Sequence, residues 1–253
     1  MIFEMQRAQC CCGGMVKIIG IVVALAVAAA VAWYLLRPAP APPPPPPAAQ
    51  PAPLKIADAP LPLPAESDAQ VRKALSAASP RPELQKWLAA GDLLDRWTVV
   101  ADNLAEDVSP RKQLAFFAPE KKFRAVGREG NEQIDPRSYQ RYDLFADVVA
   151  SVDAKAVAAA VHTLHPLLES TYHKLGYPNR PLDDLLQRAL QRLIDAPAVE
   201  GPLQLVPKGA LYKFAVPELE AQGPVEKHLL RMGPRNTKLL QSKAREISAA
   251  LQH

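Results

Sequence analysis

The sequence has little cysteine and lacks the glycine patterns of common cofactor sites. Its only cysteines are Cys10, Cys11 and Cys12, so the chain beyond residue 12 has no disulfide bond of its own. The same absence excludes a cysteine nucleophile or a cysteine-bound zinc ion from that part. There is no G-x-S-x-G turn, P-loop or dinucleotide-binding fingerprint. We therefore predict no catalytic residue, no cofactor and no metal site.

The longest apolar run, Ile18–Leu36, contains no charged residue and no proline. As a helix it would measure about 28 Å, close to the thickness of the hydrocarbon core of a bilayer. The small residues of Ala26–Ala32 also fit a cleaved signal peptide. However, the run continues past them to Trp33 and Tyr34, which are typical of the lipid–water boundary. We expect residues 18–36 to form one transmembrane helix.

Positive charges around this run indicate its orientation. Arg7 and Lys17 precede it, whereas only Arg37 follows it closely. Because the positive flank of a span usually stays in the cytoplasm, we expect residues 1–17 to be a short cytoplasmic arm. The rest of the chain then lies on the other side of the membrane. Met15 is a second reasonable start for the arm, and both starts remain open.

Residues 37–66 contain 13 of the 27 prolines, including the run Pro42–Pro47. Proline disfavours the interior of helices and sheets, and a segment of proline and alanine has little to bury. We expect a disordered linker of polyproline II character, which would reach about 90 Å when fully extended. A plain spacer is favoured over a ligand for a proline-binding domain.

Residues 67–253 are numerous enough for one domain with a substantial core. Apolar residues recur there at helical spacing, as in Leu182–Leu193. We expect an all-α, multi-helix soluble domain with a short irregular or hairpin insertion. Two expected helix starts are Ser67, which forms a capping-box pattern with Gln70, and Asp92.

The insertion is expected in the range Ser109–Asp135, where the helical period disappears. Gly127 and Gly130 flank a polar tip there, which is typical of a small hairpin. The later range Gly201–Tyr212 is expected to be irregular or weakly extended. Pro166 is expected to kink or divide the alanine-rich helix that contains it.

Several short stretches resemble a known family. They are WLAAGDLL from Trp87, ADNL from Ala101, IDPRSYQRYD from Ile134, HPLLESTYHKLGYP from His165, EGPLQLV from Glu200, ALYKFAVPELE from Ala210 and KHLLRMGPRN from Lys227. Taken together in this order, they resemble the bacterial family called domain of unknown function 3014, whose members look like single-pass membrane proteins with a proline-rich tether. The resemblance implies a bacterial single-pass membrane protein. Together with the charges around residues 18–36, this leads us to expect an inner-membrane protein with its soluble domain in the periplasm. The resemblance implies no activity, ligand or catalytic residue.

A group of aromatic and charged residues is a candidate binding site. Tyr139 and Tyr142 are three residues apart and are expected to share a helix face, while Arg141 can stack on a ring or bind a carboxylate. The alternative is a helix that docks into the core with its charges paired. Asn236 is expected to cap the last helix. The candidates are Tyr139, Arg141, Tyr142, Asp143, Arg231 and Asn236.

Positive charge is concentrated in two stretches, although the net charge of the chain is only +4. Residues 111–128 contain six Lys or Arg residues and one acid, and residues 226–253 contain six and two. If the fold places both stretches on one face, Lys121, Lys122 and Arg124 would belong to a positive surface that suits anionic lipid or an anionic wall polymer. Basic loops scattered over a soluble surface are the alternative.

The sequence favours a non-enzymatic protein whose membrane anchor and tether present a helical interaction domain in the periplasm. Its partner would be an envelope protein or an anionic envelope polymer, and nucleic acid is not expected outside the cytoplasm. Two alternatives remain open: an enzyme that acts on an envelope substrate through a polar pocket formed by the fold, and a binder of anionic lipid or glycan through basic stretches. The sequence leaves the oligomeric state open.

Overall fold

A computed structural model describes residues 64–253, which lie within one compact unit, Ala59–His253. The predicted arm, the predicted span at 18–36 and most of the predicted linker lie outside the described residues. Within the described part, no helix is long and apolar enough to cross a membrane. The last three residues assigned to the linker, from Pro64 onward, belong to the first helix of the unit.

The described residues form helices and two β-hairpins that are far apart in the sequence. The α-helices are α1 (Pro64–Leu75), α2 (Pro82–Leu88), α3 (Leu93–Ala105), α4 (Asp143–Ser151), α5 (Ala154–Lys174), α6 (Leu182–Asp195), α7 (Pro217–Glu220), α8 (Pro224–Met232) and α9 (Pro234–Ala250). The strands are β1 (Ala125–Arg128), β2 (Asn131–Ile134), β3 (Gln204–Lys208) and β4 (Leu211–Phe214). Short 3-10 turns occupy Ala115–Phe117, Pro136–Ser138 and Gln140–Tyr142.

The predicted all-α fold class is wrong, because these strands form a four-stranded antiparallel sheet in the order β1-β2-β3-β4. The hairpin predicted around Gly127 and Gly130 is confirmed by β1 and β2. The second hairpin, β3 and β4, lies in the range that was expected to be irregular or weakly extended. It joins the first hairpin because β3 pairs with β2, with Leu205 opposite Glu132. The unit is therefore an α+β domain.

The second hairpin has a two-residue turn that begins with Gly209 and separates the paired residues Lys208 and Leu211. Gly209 has a φ of 60°, and glycine at the first position of such a turn matches the twist of the flanking strands. From the sequence alone, Pro207 argues against a strand, because its backbone nitrogen has no hydrogen to donate to a neighbouring strand. The sheet accommodates Pro207 because the pairing of β3 with β2 extends only to Leu205.

Apolar side chains connect the sheet to the helices. Helix α3 packs against α5 and α6, and α9 packs against α4, α5 and α6. Ile134, Leu205 and Phe214 of the sheet form a separate apolar cluster with Leu230 of α8. Val206 is 40% exposed, because successive side chains of a strand point to opposite faces. The sheet thus holds α8, which carries part of the candidate site.

The helix starts differ in detail from the prediction. The capping box expected at Ser67 is wrong, because α1 begins at Pro64 and Ser67 lies inside it. Asp92 precedes α3 as expected, but its side chain makes no capping hydrogen bond. Instead, the carboxylate of Asp68 in α1 accepts hydrogen bonds from the backbone N–H groups of Asp92 (3.0 Å) and Leu93 (2.7 Å).

Pro166 lies inside α5, which continues from Ala154 to Lys174. The helix is therefore not divided at the proline. Leu164 and Tyr172 of the same helix are buried, so packing on both sides of Pro166 offsets the hydrogen bond that a proline removes from a helix.

Candidate functional site

The 3-10 turns before α4 place Arg141 beside the loop that precedes β1. Its Nε donates to the carbonyl of Ser138 at 2.8 Å, and its Nη1 donates to the carbonyl of Lys121 at 3.0 Å. Its guanidinium carbon lies 5.2 Å from the ring centre of Tyr142 and 5.7 Å from that of Phe123, within the range of a cation–π contact. Backbone and ring contacts therefore fix the half-buried Arg141.

Helix α8 and strand β4 position Arg231 in a similar way. Its Nη1 donates to the carbonyl of Lys227 at 3.1 Å, and its Nη2 donates to the carbonyl of Tyr212 at 3.4 Å. The guanidinium carbon lies 4.8 Å from the ring centre of Phe214. Burial lowers the pKa of Arg231, and the negative charge of Glu220 acts in the opposite direction.

His228 lies on the same helix, three residues before Arg231, and its ring contacts that of Tyr142 edge-on at a centroid distance of 5.6 Å. Burial, together with the positive charges of Arg111, Arg231 and Arg141, lowers the pKa of His228 to about 4. The imidazole is therefore neutral near pH 7. We call Arg111, Arg141, His228 and Arg231 the arginine cluster.

Part of this cluster could be predicted from the sequence. Arg141 and Arg231 are candidates from the sequence, whereas His228 is not, and Arg111 belongs there only to a basic stretch. The spacing of His228 and Arg231 was a usable signal, because residues three apart lie on one face of a helix. No local pattern could indicate that the charge of Arg111 acts on His228 and Arg231, since Arg111 is far from both in sequence.

Tyr139, Asp143 and Asn236 form a separate group, in which Asn236 is buried and the other two residues are half-buried. The Nδ2 atom of Asn236 lies 3.1 Å from the carbonyl oxygen of Tyr139, 2.9 Å from Oδ1 of Asp143 and 3.0 Å from the carbonyl oxygen of Met232. The cap expected at Asn236 is wrong, because α9 begins at Pro234. Asn236 instead holds the start of α9 against the turns before α4.

Tyr139 packs its ring against the junction of α8 and α9. A Cβ atom added to Gly233 would lie 2.5 Å from Cγ of Tyr139. The Tyr139 hydroxyl is buried and has no hydrogen-bond partner among the described residues, and burial raises the pKa of Tyr139. Tyr139 therefore contributes packing rather than a group that a ligand could reach.

Residues 111–128, which we call the basic segment, adjoin the arginine cluster through Arg111 and the carbonyl of Lys121. Arg124 approaches a carboxylate, with its Nε 3.9 Å from Oδ2 of Asp135. Arg137 lies closer to the same carboxylate, at 2.7 Å, and its hydrogen bond lowers the pKa of Asp135. The other basic residues of the segment are exposed and form no ion pair with a described carboxylate; they are Arg111, Lys112, Lys121, Lys122 and Arg128.

The second basic stretch behaves differently, because acids of other elements neutralise several of its charges. Arg235 contacts Asp147 at 2.6 Å, and Lys238 forms an ion pair with Glu200. The basic segment therefore keeps more unpaired positive charge than the second basic stretch does.

No three His, Cys, Asp or Glu side chains among the described residues lie close enough to hold a metal ion. A cavity of about 360 Å³ is lined by Ala105, Arg188, Gln191, Arg192, Asp195 and Glu226. Its arginines are paired, since Arg188 lies 2.6 Å from Glu106 and Arg192 lies 3.1 Å from Glu226.

The sequence profile of a family described as "Protein of unknown function (DUF3014)" matches residues 93–248, more than half of the chain. The chain belongs to the DUF3014 family. The family resemblance drawn from the short stretches is thus confirmed. The DUF3014 match includes the sheet and the arginine cluster, and it does not include residues 18–36. Comparisons with curated proteins and with solved structures found no match.

Proposed function

We propose that this DUF3014 protein is a single-pass protein of the bacterial inner membrane whose α+β domain binds an anionic membrane surface from the periplasm. The apolar run at 18–36 and the positive residues before it support the anchor and its orientation. The function proposed is binding, and we assign no catalytic step to the domain.

The exposed, unpaired charge of the basic segment is the observation that carries this proposal. Each Lys or Arg near an anionic membrane contributes about 1 kcal/mol of binding free energy. The proline-rich linker would keep the domain close to the membrane, so its effective concentration there is high and weak contacts suffice. Exposed lysines on a loop suit a diffuse layer of head groups better than a single rigid ligand.

Vesicle binding by residues 59–253, the compact unit, tests the proposal. We expect binding to vesicles that contain anionic lipid, no binding to neutral vesicles, and release as salt rises, because surface charges are screened within about 8 Å at physiological ionic strength. The test variant removes three exposed charges of the basic segment: Lys121→Gln, Lys122→Gln and Arg128→Gln. This variant should bind about 10- to 100-fold more weakly.

A control variant removes three exposed charges elsewhere: Lys73→Gln, Lys86→Gln and Lys155→Gln. An equal loss of binding in the control variant, or vesicle binding that does not change with salt concentration, would contradict a role for the basic segment. The orientation has its own test in the full chain. A reporter enzyme that works only in the periplasm should be active when it is fused after His253, and activity of a cytoplasmic reporter alone would contradict the proposed topology.

A further inference from the structure

We propose that the arginine cluster binds one phosphate group, presented either by a lipid head group or by a soluble phosphate compound. The inference rests on the proposed function and deepens it, because it assigns a discrete recognition site beside the diffuse charge of the basic segment. Arg141 and Arg231 are half-buried and Arg111 is exposed, so the cluster combines fixed donors with access from solvent.

The cluster has an excess of positive charge. The guanidinium of Arg141 and the ring of His228 both contact the ring of Tyr142, at 5.2 and 5.6 Å. The charge of Arg111 acts on both His228 and Arg231. Glu220 is close enough to act on Arg231, but its carboxylate also lies 3.8 Å from Nζ of Lys227, with which it forms an ion pair. Because like charges repel strongly where water is partly excluded, a bound anion would stabilise this arrangement.

Other arginines of the described part form ion pairs with carboxylates, which is the usual arrangement. Arg188 contacts Glu106 at 2.6 Å, and Arg235 contacts Asp147 at the same distance. Arg141 and Arg231 instead donate to backbone carbonyls. A carbonyl fixes a guanidinium without neutralising it, so the full charge of both arginines remains available to a ligand.

The arginines are also held in place before a ligand arrives. Arg141 lies over the rings of Tyr142 and Phe123, and Arg231 lies over the ring of Phe214. Fixed side chains lose little conformational entropy on binding. Several guanidiniums on neighbouring elements suit the many oxygen atoms of a phosphate, whereas one arginine fork already satisfies a carboxylate.

His228 provides an internal reporter of the bound group. The groups that face it are Arg111, Arg141, Arg231 and the ring of Tyr142, and none of these described groups is an acid. The negative charge of a bound phosphate favours the protonated imidazole. Phosphate should therefore raise the pKa of His228 above its value of about 4.

The binding test uses the full chain in micelles of a neutral detergent, titrated with inorganic phosphate at constant ionic strength. We expect saturable heat with a Kd on the order of 1 mM or tighter. Arg111→Gln and Arg141→Gln should each weaken phosphate binding about tenfold, because each removes a charge-assisted hydrogen bond. Arg245→Gln, at an exposed arginine of α9, is the matched control and should leave the Kd unchanged. Arg111 is exposed, so its variant tests the site even if Arg141→Gln impairs folding.

A second measurement follows the His228 ring by NMR during a pH titration with and without phosphate. A rise in its pKa with phosphate supports the site, and an unchanged titration overturns it. The absence of saturable binding by the folded chain, or an equal loss in Arg245→Gln, also overturns the proposal.

Two further measurements identify the source of the phosphate and distinguish failure of this inference from failure of the proposed function. If phosphatidic acid displaces inorganic phosphate and glycerol phosphate does not, the ligand is a lipid head group. If glycerol phosphate displaces it and phosphatidic acid does not, the ligand is a soluble phosphate compound. The variant with Lys121, Lys122 and Arg128 replaced should lose vesicle binding and keep phosphate binding. If the unaltered chain binds anionic vesicles but does not bind phosphate, the phosphate site at the arginine cluster is overturned. The basic segment then remains as the membrane contact.

Discussion

Gly233 joins α8 to α9 with a φ of 86°, a conformation that residues with a Cβ atom rarely adopt. The ring of Tyr139 leaves no room for a Cβ there, since the atom would lie 2.5 Å from the ring. The backbone and the packing therefore both require glycine at this position. This close approach lets Asn236 reach the carbonyl of Tyr139 and the carboxylate of Asp143.

We expect Gly233→Ala to lower the free energy of unfolding by about 3 kcal/mol, of which about 1–2 kcal/mol is backbone strain and the rest is overpacking against Tyr139. Gly201→Ala is the matched control, because Gly201 also has a φ of 86° but has no neighbouring atom within 4 Å of the added Cβ. The control should lose only the strain. Urea denaturation measures both variants, and equal losses would contradict the role of the Tyr139 contact.

Helix α1 stabilises two other helices at their ends. Its Arg72 donates to the carbonyl of Leu88 at 2.7 Å and to that of Ala90 at 3.0 Å, where α2 ends. Its Asp68 accepts the N–H of Leu93 at 2.7 Å, where α3 begins. Helix ends leave backbone groups without partners, so α1 supplies partners that α2 and α3 lack.

We expect Asp68→Ala to lower the free energy of unfolding by about 1–2 kcal/mol, the usual effect of losing a helix cap. Asp95→Ala is the control, because Asp95 is an exposed acid in the first turn of α3 and should change stability by only about 0.5 kcal/mol. Denaturation in urea gives both values. A similar loss in the two variants would mean that charge near α3, rather than the hydrogen bonds of Asp68, accounts for the effect.

The compact unit Ala59–His253 contains all the described elements and has its own apolar clusters. One cluster joins Val71 of α1 to Leu88 of α2, Leu93 of α3 and Leu164 of α5. Helix α1 therefore belongs to the core of the unit, although it directly follows the proline-rich segment in sequence.

We expect residues 59–253 to fold cooperatively without the rest of the chain, with a mixed helical and strand signal in circular dichroism. Residues 76–253, which lack α1, should melt roughly 10 °C lower, because the buried Val71 and the partners from Asp68 and Arg72 are lost. Thermal denaturation followed by circular dichroism compares the two. Equal melting temperatures would contradict a structural role for α1, and an unfolded longer fragment would contradict independent folding of the unit.

The local sequence pattern determined much of this unit. The apolar spacing in Leu182–Asp195 predicts α6, and the glycines at 127 and 130 predict the first hairpin. The short stretches from Trp87 onward indicate the DUF3014 family, which the profile match confirms. These features could be predicted because each depends on residues within a few positions of one another.

Only the tertiary structure decided the fold class and the composition of the candidate site. β2 and β3 pair although Glu132 and Leu205 are far apart in sequence, and neither short hairpin by itself indicates its partner. Likewise, Asp68 caps a helix other than its own, and the charge of Arg111 acts on His228 although the two are far apart in sequence. Such contacts depend on how the elements pack and not on local periodicity, because side chains and backbone groups find partners wherever packing brings them within reach.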